Sequence, residues 1–416
     1  MDDFVNGPQN QALWDRYDAV IPGGGMYLTR SARFAGRDVM PGFIESADGC
    51  RVTDADGKTY LDFNCGNGPN MLGYCHPEVD EAAQGQAKKM DLASFFPTKM
   101  PEYAERLLQW GSGFDWAIFT KNGSDSTNLA MRIMRSARQK PIILLFNAAY
   151  HGFGTEFALG ADKVFDEEKR NVIRLPWNDA EALLAAADEY GNQIAGMLVN
   201  PLDQNPTQVT TDISPDFAAA INTLRANTGA YVTVDDVRHG FRLHPGGSHK
   251  HIGIQPDLLC LGKAQANGYS TSTILGVEAL RAGAENIQFT ATYMFSSVAF
   301  AAGIATIDIY ERDNVFDHIT AMGQQLVDGI TKVGLEAGHE DILMSGPPTM
   351  PNLLFKNDQK AKRARAFGGL SSRYGAIFHP TLNWFLCYAH KQADIEEAID
   401  IARRAFEQTP TSVELL

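Results

Sequence analysis

Residues 258–268 read LLCLGKAQANG. Leu258 to Leu261 form a short apolar run with the length and composition of a buried strand. Gly262 ends the run and Lys263 stands at its mouth. Lysine is among the residues least often buried. A lysine in that place is either a solvated strand end or an amine positioned to react. The two readings separate on what neighbouring strands carry at the same end.

Upstream, strand and helix patterns alternate. WAIFTK (116–121) precedes DSTNLAMRIMRSAR (125–138), and PIILLF (141–146) precedes a loop. NVIRLP (171–176) precedes DAEALLAAADEY, and IAGMLVNP (194–201) precedes SPDFAAAINTLRAN. AYVTVDDV (230–237), DLLCLGK (257–263) and TSTILGV (271–277) complete the series. Near-continuous apolar strands alternating with helices predict an α/β domain with a mainly parallel sheet covered on both faces. In such a sheet ligands bind beyond the carboxyl ends of the strands. That rule selects Lys121 to Ser124, Tyr150-His151, Asn200, Asp235-Asp236 and Lys263.

The remainder of the chain predicts a smaller α+β unit. QALWDRYDAVI opens as a helix, and CRVTDADGKTYLDF (50–63) reads as a hairpin around Asp54 to Gly57. After residue 306 come VFDHITAMGQQLVDGITKVG and DIEEAIDIARRAFEQ as helices, with PNLLFK (351–356) and NWFLCYAH (383–390) as strands. The charge runs KAKRARAF and RRAFEQ read as solvated helix faces. The expected organisation is an arm and part of the small domain over 1–55, a large domain over 56–305 and a small domain over 306–416.

Bulk properties exclude several classes. The net charge is −14, with a sequence pI near 5.2. That acidic balance disfavours nucleic acid and anionic membrane surfaces. No apolar run approaches the roughly 20 residues of a membrane span, and the acidic start lacks the pattern of a signal peptide. The five cysteines are scattered without CxxC spacing, as expected of free thiols in a cytoplasmic protein. His239, His244, His249 and His251 match no metal-ligand spacing, and no metal site is expected.

The strand-end residues suggest one ligand. Lys121-Asn122-Gly123-Ser124 joins a strand to a helix, where amides and the helix dipole favour an anion and Ser124 can cap. An ordinary capped helix is the plain alternative. Asp235 ends an apolar strand, where a carboxylate needs a cation, a cap or an ion pair with Arg238 or Arg242. A reactive lysine, a buried carboxylate, an aromatic at Tyr150 and an anion nest together match pyridoxal 5′-phosphate (PLP).

At this point a family resemblance enters. TVDDVRHGFR (233–242) and LGKAQANGYSTSTILG (261–276) resemble the Asp-Glu-Val-x-x-Gly-Phe-Arg and Leu-Gly-Lys signatures of class III PLP-dependent aminotransferases. VTDADGKTYLDFNCGNGPNMLGYCHPEV (52–79), FTKNGSDSTNLAMRIMRSAR (119–138) and YHGF (150–153) resemble further signatures of the family, in the correct order. VIPGGG and GNGPNMLGYCHP are similar to the subgroup that contains glutamate-1-semialdehyde aminomutase.

The resemblance implies the fold type I architecture, with a seven-stranded sheet in the large domain, and a transaminase of EC 2.6.1 type. An aminomutase, racemase or lyase on the same scaffold, or a PLP-binding protein without turnover, is the alternative. By position, Lys263 would form the internal aldimine and Asp235 would pair with the pyridinium nitrogen. Val237 would pack under the ring and Tyr150 over it, with His151 beside Tyr150. Asn122, Gly123 and Ser124 would hold the phosphate. Thr292, in TATYMF, would reach the phosphate of the partner subunit in a homodimer.

Several positions depart from the family. Asn200, Asp125 and Asp236 stand where relatives carry glutamate, and Phe295-Ser296-Ser297 replaces a Gly-Asn-Pro stretch. His379 falls where several relatives place a carboxylate-binding arginine, and Leu382 where the aminomutase subgroup has a glutamate. Arg30 aligns with a substrate-carboxylate arginine of that subgroup, with Arg33 next to be considered.

Overall fold

The computed structural model describes residues 5–22, 36–37, 39–158, 164–205, 208–358 and 360–412. The chain forms two compact units. One comprises Met1–His76, Pro206–Val209 and Asn314–Leu416; the other comprises Pro77–Asn205 and Thr210–Asp313. The main changes of unit, at 76/77 and 313/314, compare with the expected domain limits at 55/56 and 305/306.

The strands, in chain order, are β1 (Ile44–Asp48), β2 (Arg51–Asp54), β3 (Thr59–Asp62), β4 (Trp116–Thr120), β5 (Ile142–Phe146), β6 (Val172–Leu175) and β7 (Ile194–Val199). They continue with β8 (Tyr231–Asp235), β9 (Leu258–Leu261), β10 (Ser272–Gly276), β11 (Ile342–Ser345), β12 (Asn352–Phe355) and β13 (Ala376–Ile377).

In the second unit a seven-stranded sheet runs β4-β10-β9-β8-β7-β5-β6. Strands β9, β8, β7, β5 and β6 pair in parallel, while β10 is antiparallel to both β9 and β4. The LLCL run is strand β9, buried throughout. Apolar residues on both faces drive this arrangement, because helices cover the sheet on either side. The helix Gly123–Arg138 packs Leu129, Met131, Ile133 and Met134 into the core that also holds Ile143, Leu198 and Cys260. Local signals set the helix ends. Ser214 caps Pro215–Thr228 by accepting from the Phe217 amide at 3.1 Å, and Gly229 closes that helix at φ +71°.

The first unit holds a four-stranded sheet, β1-β2-β3-β13, and a β11-β12 pair. The expected hairpin is β2-β3, antiparallel from Arg51↔Leu61 to Thr53↔Thr59. Two expectations fail here. NWFLCYAH forms no strand. Its amides reach separate partners: Trp384 to Pro351 O, Phe385 to Phe63 O, Leu386 to Thr349 O and Tyr388 to Met71 O. Without one continuous neighbour no ladder forms. In KAKRARAF, Arg363 is buried rather than solvated. Its guanidinium reaches Asp341 at 2.5 Å, His339 Nδ1 at 3.0 Å and Pro410 O at 2.9 Å, and it stacks on Phe355. The helix Lys362–Tyr374 turns that one basic position inward.

Candidate active site

Lys263 follows β9 and begins a short 3-10 turn, Lys263–Ala266. Its backbone sits at φ +42°, a left-handed conformation that non-glycine residues rarely adopt. Such strain persists only where surrounding structure enforces it, and it concentrates at functional positions. Gly262 before it is pressed close: a Cβ there would meet Ser272 Oγ at 2.7 Å and Val237 Cγ1 at 3.1 Å.

Val237 links three strand ends. The same side chain would meet a Cβ at Gly123 at 2.6 Å. The isopropyl group of Val237 therefore lies between the start of the helix Gly123–Arg138 and the residue before Lys263. Only glycine allows the chain so near on both sides. This convergence joins segments widely separated in sequence.

The helix start differs in detail from expectation. Ser124 does not cap it. Asn122 stands at the N-cap, and its amide donates to Asp125 Oδ2 at 2.8 Å. Asp125, in place of the family glutamate, thus closes the first turn. The Ser124 hydroxyl instead accepts from the Phe153 amide at 3.3 Å. Gly152, at φ +112°, lies so near Ser124 that a Cβ would meet Oγ at 2.2 Å. The YHGF loop is docked directly on the helix N-terminus.

His151 is fixed from two directions. Its carbonyl accepts from Thr127 Oγ1 at 2.6 Å, and its ring Nδ1 lies 2.8 Å from Asp235 Oδ2. Thr127 was not singled out by sequence; a β-branched residue on a helix carries no signal for a loop partner far along the chain. The carboxylate of Asp235 is buried and also accepts from the Val237 amide at 3.2 Å. Tyr150 is exposed at the same end of the sheet.

Charge around Lys263 is dense. Burial pushes His239 well below its usual range, and the Arg238 and Lys263 charges add to that, so His239 is neutral. Burial lowers Arg238 too, opposed by Asp235 and Tyr150. Burial pushes the Asp236 carboxyl up to about 7, against the hydrogen bonds from Ser248.

Some polar atoms in this unit lack partners. Asn200 follows β7 in the register next to Asp235, since Val199 pairs with Val234. It is fully buried, and neither its amide nitrogen nor its oxygen finds a hydrogen bond among the described residues. The same holds for both amide atoms of Gln265 and for His151 Nε2. Orphaned buried groups cost about 1–3 kcal/mol each. A cradle of glycines at a helix start and unsatisfied polar atoms at the strand ends fit a bound polar cofactor.

A model of the class-III aminotransferase family matches residues 34–373. The chain belongs to that family. The aminotransferase is 33% identical over 403 residues to aminopentol aminotransferase of Sphingopyxis macrogoltabida, covering 97% of this chain and 95% of that one. It is 30% identical over 431 residues to glutamate-1-semialdehyde 2,1-aminomutase of Laribacter hongkongensis, covering 96% and 99%. The FumI protein of Sphingopyxis sp. MTA144, solved in its PLP internal aldimine form, superposes with a TM-score of 0.93 at 33% identity over 96% of each chain. The family and the fold are those expected from LLCLGK and its companions, and the cofactor is PLP.

The remaining expected residues are placed as follows. Thr292 lies exposed in the short turn Thr292–Phe295. Phe295-Ser296-Ser297, in place of Gly-Asn-Pro, is tied to Asp91: Ser296 Oγ donates to its carboxylate at 2.7 Å and Ser297 Oγ to its carbonyl at 2.7 Å. His379 is buried in the first unit, and its Nδ1 accepts from the amides of Thr381 and Leu382 at 3.1 and 3.0 Å. That nitrogen organises a turn. Arg30 and Arg33 lie outside the described residues.

Proposed function

We propose that this aminotransferase moves an amino group between an amine or amino acid and a keto acid or aldehyde, with Lys263 as the reactive amine. The observation that carries this is the double contact of Val237 with Gly123 and Gly262. It gathers the strained lysine, the buried Asp235 and an anion-receptive helix N-terminus around one side chain.

Bound PLP supplies an electron sink for the carbon that carries the amino group. Asp235 keeps a proton on the ring nitrogen, and its hydrogen bond with His151 holds the carboxylate in orientation. Gly123 and Ser124 would bind the phosphate through backbone amides at the helix start, with Asn122 at the N-cap beside them. Val237 and Tyr150 flank the ring. With PLP bound, the Lys263 amine would hold the cofactor and move the proton at the substrate carbon. Arg30 binds a substrate carboxylate by two parallel donors. The large domain of residues 56–305 carries all of these except Arg30.

A homodimer completes the site, with Thr292 reaching the partner's phosphate. Its support is an exposed aromatic patch: Phe95 at 85%, Phe96 at 74% and Tyr293 at 64% exposure. Phe96 and Phe295 meet edge to face at 5.4 Å. The five free cysteines suit the cytoplasm. No helix among the described residues is long and apolar enough to cross a membrane.

The test is a panel of amine donors with pyruvate or 2-oxoglutarate, read by the keto product. Product that forms only with an acceptor supports transamination; turnover without one points to a mutase or lyase. Arg30→Ala should lower kcat/KM for an amino acid by about 2–5 kcal/mol and spare the decarboxylated amine. Equal loss for both would make Arg30 a structural arm residue.

A further inference from the structure

The first unit contains a second cluster of reactive side chains, which the transamination chemistry leaves unused. Cys65 Sγ, Cys387 Sγ and a ring nitrogen of His390 all lie within 4.8 Å of one another, and all three residues are buried. Cys387 Sγ is 3.2 Å from His390 Nδ1. The His390 ring is stacked on Phe63, with centroids 4.5 Å apart and planes 8° from parallel, and its carbonyl accepts from His318 Nε2 at 2.7 Å. The imidazole is thus held in place beside the sulfur. Cys65 is held at φ +48°, with its sulfur 3.2 Å from Phe385 O.

Burial alone would raise the Cys387 thiol. Hydrogen bonds from Cys65 and His390, with the His390 charge, outweigh it and hold the thiol well below its usual range. Burial alone would lower His390, but the adjacent Cys387 charge raises it. Thiolate character makes a cysteine nucleophilic. Cys50, also nearby, is the opposite case: burial and the Cys387 charge push its thiol up, which leaves it inert.

We propose that Cys65 and Cys387 form a reversible disulfide in response to hydrogen peroxide, with Cys387 as the attacking sulfur and Cys65 as the resolving one. Cys387 Sγ attacks one peroxide oxygen. His390 Nδ1, which accepts from the Cys387 amide at 3.0 Å, takes the thiol proton; an S–O bond forms, the O–O bond breaks, and the leaving hydroxide takes that proton from the imidazole and departs as water. Cys65 Sγ then attacks the Cys387 sulfur. The S–O bond breaks, and a second water leaves with the Cys65 proton. The two sulfurs lose two electrons and the peroxide gains them. A disulfide spans about 2.05 Å, so from at most 4.8 Å each sulfur moves by no more than about 1.4 Å. Entry of the oxidant requires local opening.

The experiment uses the full-length PLP-loaded protein with Cys75→Ser, which removes the exposed thiol. Hydrogen peroxide is added, remaining thiols are capped, and the unreduced digest is read by mass spectrometry. The expected result is a linked peptide pair through Cys65 and Cys387 that disappears with dithiothreitol. With Cys65→Ser added, a dimedone adduct should appear on Cys387 instead. A Cys50–Cys387 link, unreacted thiols, or sulfonic acid without any link would overturn the proposal. So would one equivalent of zinc in the isolated protein, since the same three atoms would then be metal ligands. The link itself is read without any substitution at Cys65 or Cys387, so a misfolded variant at either cannot decide the matter.

Discussion

Two buried polar clusters behave in opposite ways. Around Arg363, His339 and Asp341, hydrogen bonds run in every direction: Arg363 reaches a carboxylate, an imidazole and a carbonyl, and His339 Nε2 meets Phe406 O at 2.9 Å. Around His151, Asn200 and Asp235, Asp235 is partnered, but His151 Nε2 and both Asn200 amide atoms are not. A buried polar group without a partner is destabilising, and a ligand that supplies the missing bond would remove that cost. The satisfied cluster serves the fold, and the unsatisfied one is where the proposed function places the cofactor. Substitutions on the two sides should separate stability from chemistry.

The largest effect belongs to Lys263→Ala. Turnover should fall by about 10³-fold or more, because covalent and proton-transfer roles vanish together. After borohydride reduction the wild type should carry the mass of PLP and the variant should not, while its melting curve stays close to wild type. A reduced adduct in the variant would mean that another lysine is the anchor.

Asp235→Asn comes next. If the Asp235 charge serves the ring nitrogen, as proposed, its loss should cost about 10²-fold in kcat. Phosphate contacts remain, so PLP content measured by release at high pH should fall far less. Near-normal kcat would show that Asp235 does not serve the ring nitrogen.

Arg363→Met tests the satisfied side. The Arg363 guanidinium is buried but the Asp341 side chain is 31% exposed, so water can take up part of the lost bonding, and the change should cost about 1–3 kcal/mol of stability. Denaturant melts should show the loss, whereas kcat per folded molecule should not change. A large fall in kcat with unchanged stability would reverse the contrast between the clusters.

The smallest effect is expected for Thr127→Val, which deletes the hydrogen bond to the His151 carbonyl. One such bond is worth about 1 kcal/mol. If the loop acts by orienting His151 toward Asp235, kcat should drop severalfold and Tm should move little. An unchanged kcat would make the bond purely structural.

Periodicity and local chemistry were enough for the large sheet. The β9 run, its parallel partners and the residues at their carboxyl ends were legible because an apolar strand and the residue after it are contiguous in sequence. The same locality made Lys263, Asp235 and the helix-start residues visible as candidates, and the ordered motifs named the family. What lay beyond a few neighbouring residues was not legible. NWFLCYAH looked like a strand, since pattern reports burial but not whether one neighbour runs alongside. Arg363 looked solvated, since a basic residue within a charge run does not reveal the single inward face. Ser124 reads as able to cap the helix, but Gly152 docks on it and Asn122 holds the cap position. The pairing of His151 with Asp235, the wedge of Val237 between Gly123 and Gly262, and the meeting of Cys65 with Cys387 and His390 all depend on long-range packing. Close contact between distant residues is a property of the assembled chain, and only the tertiary structure decided it.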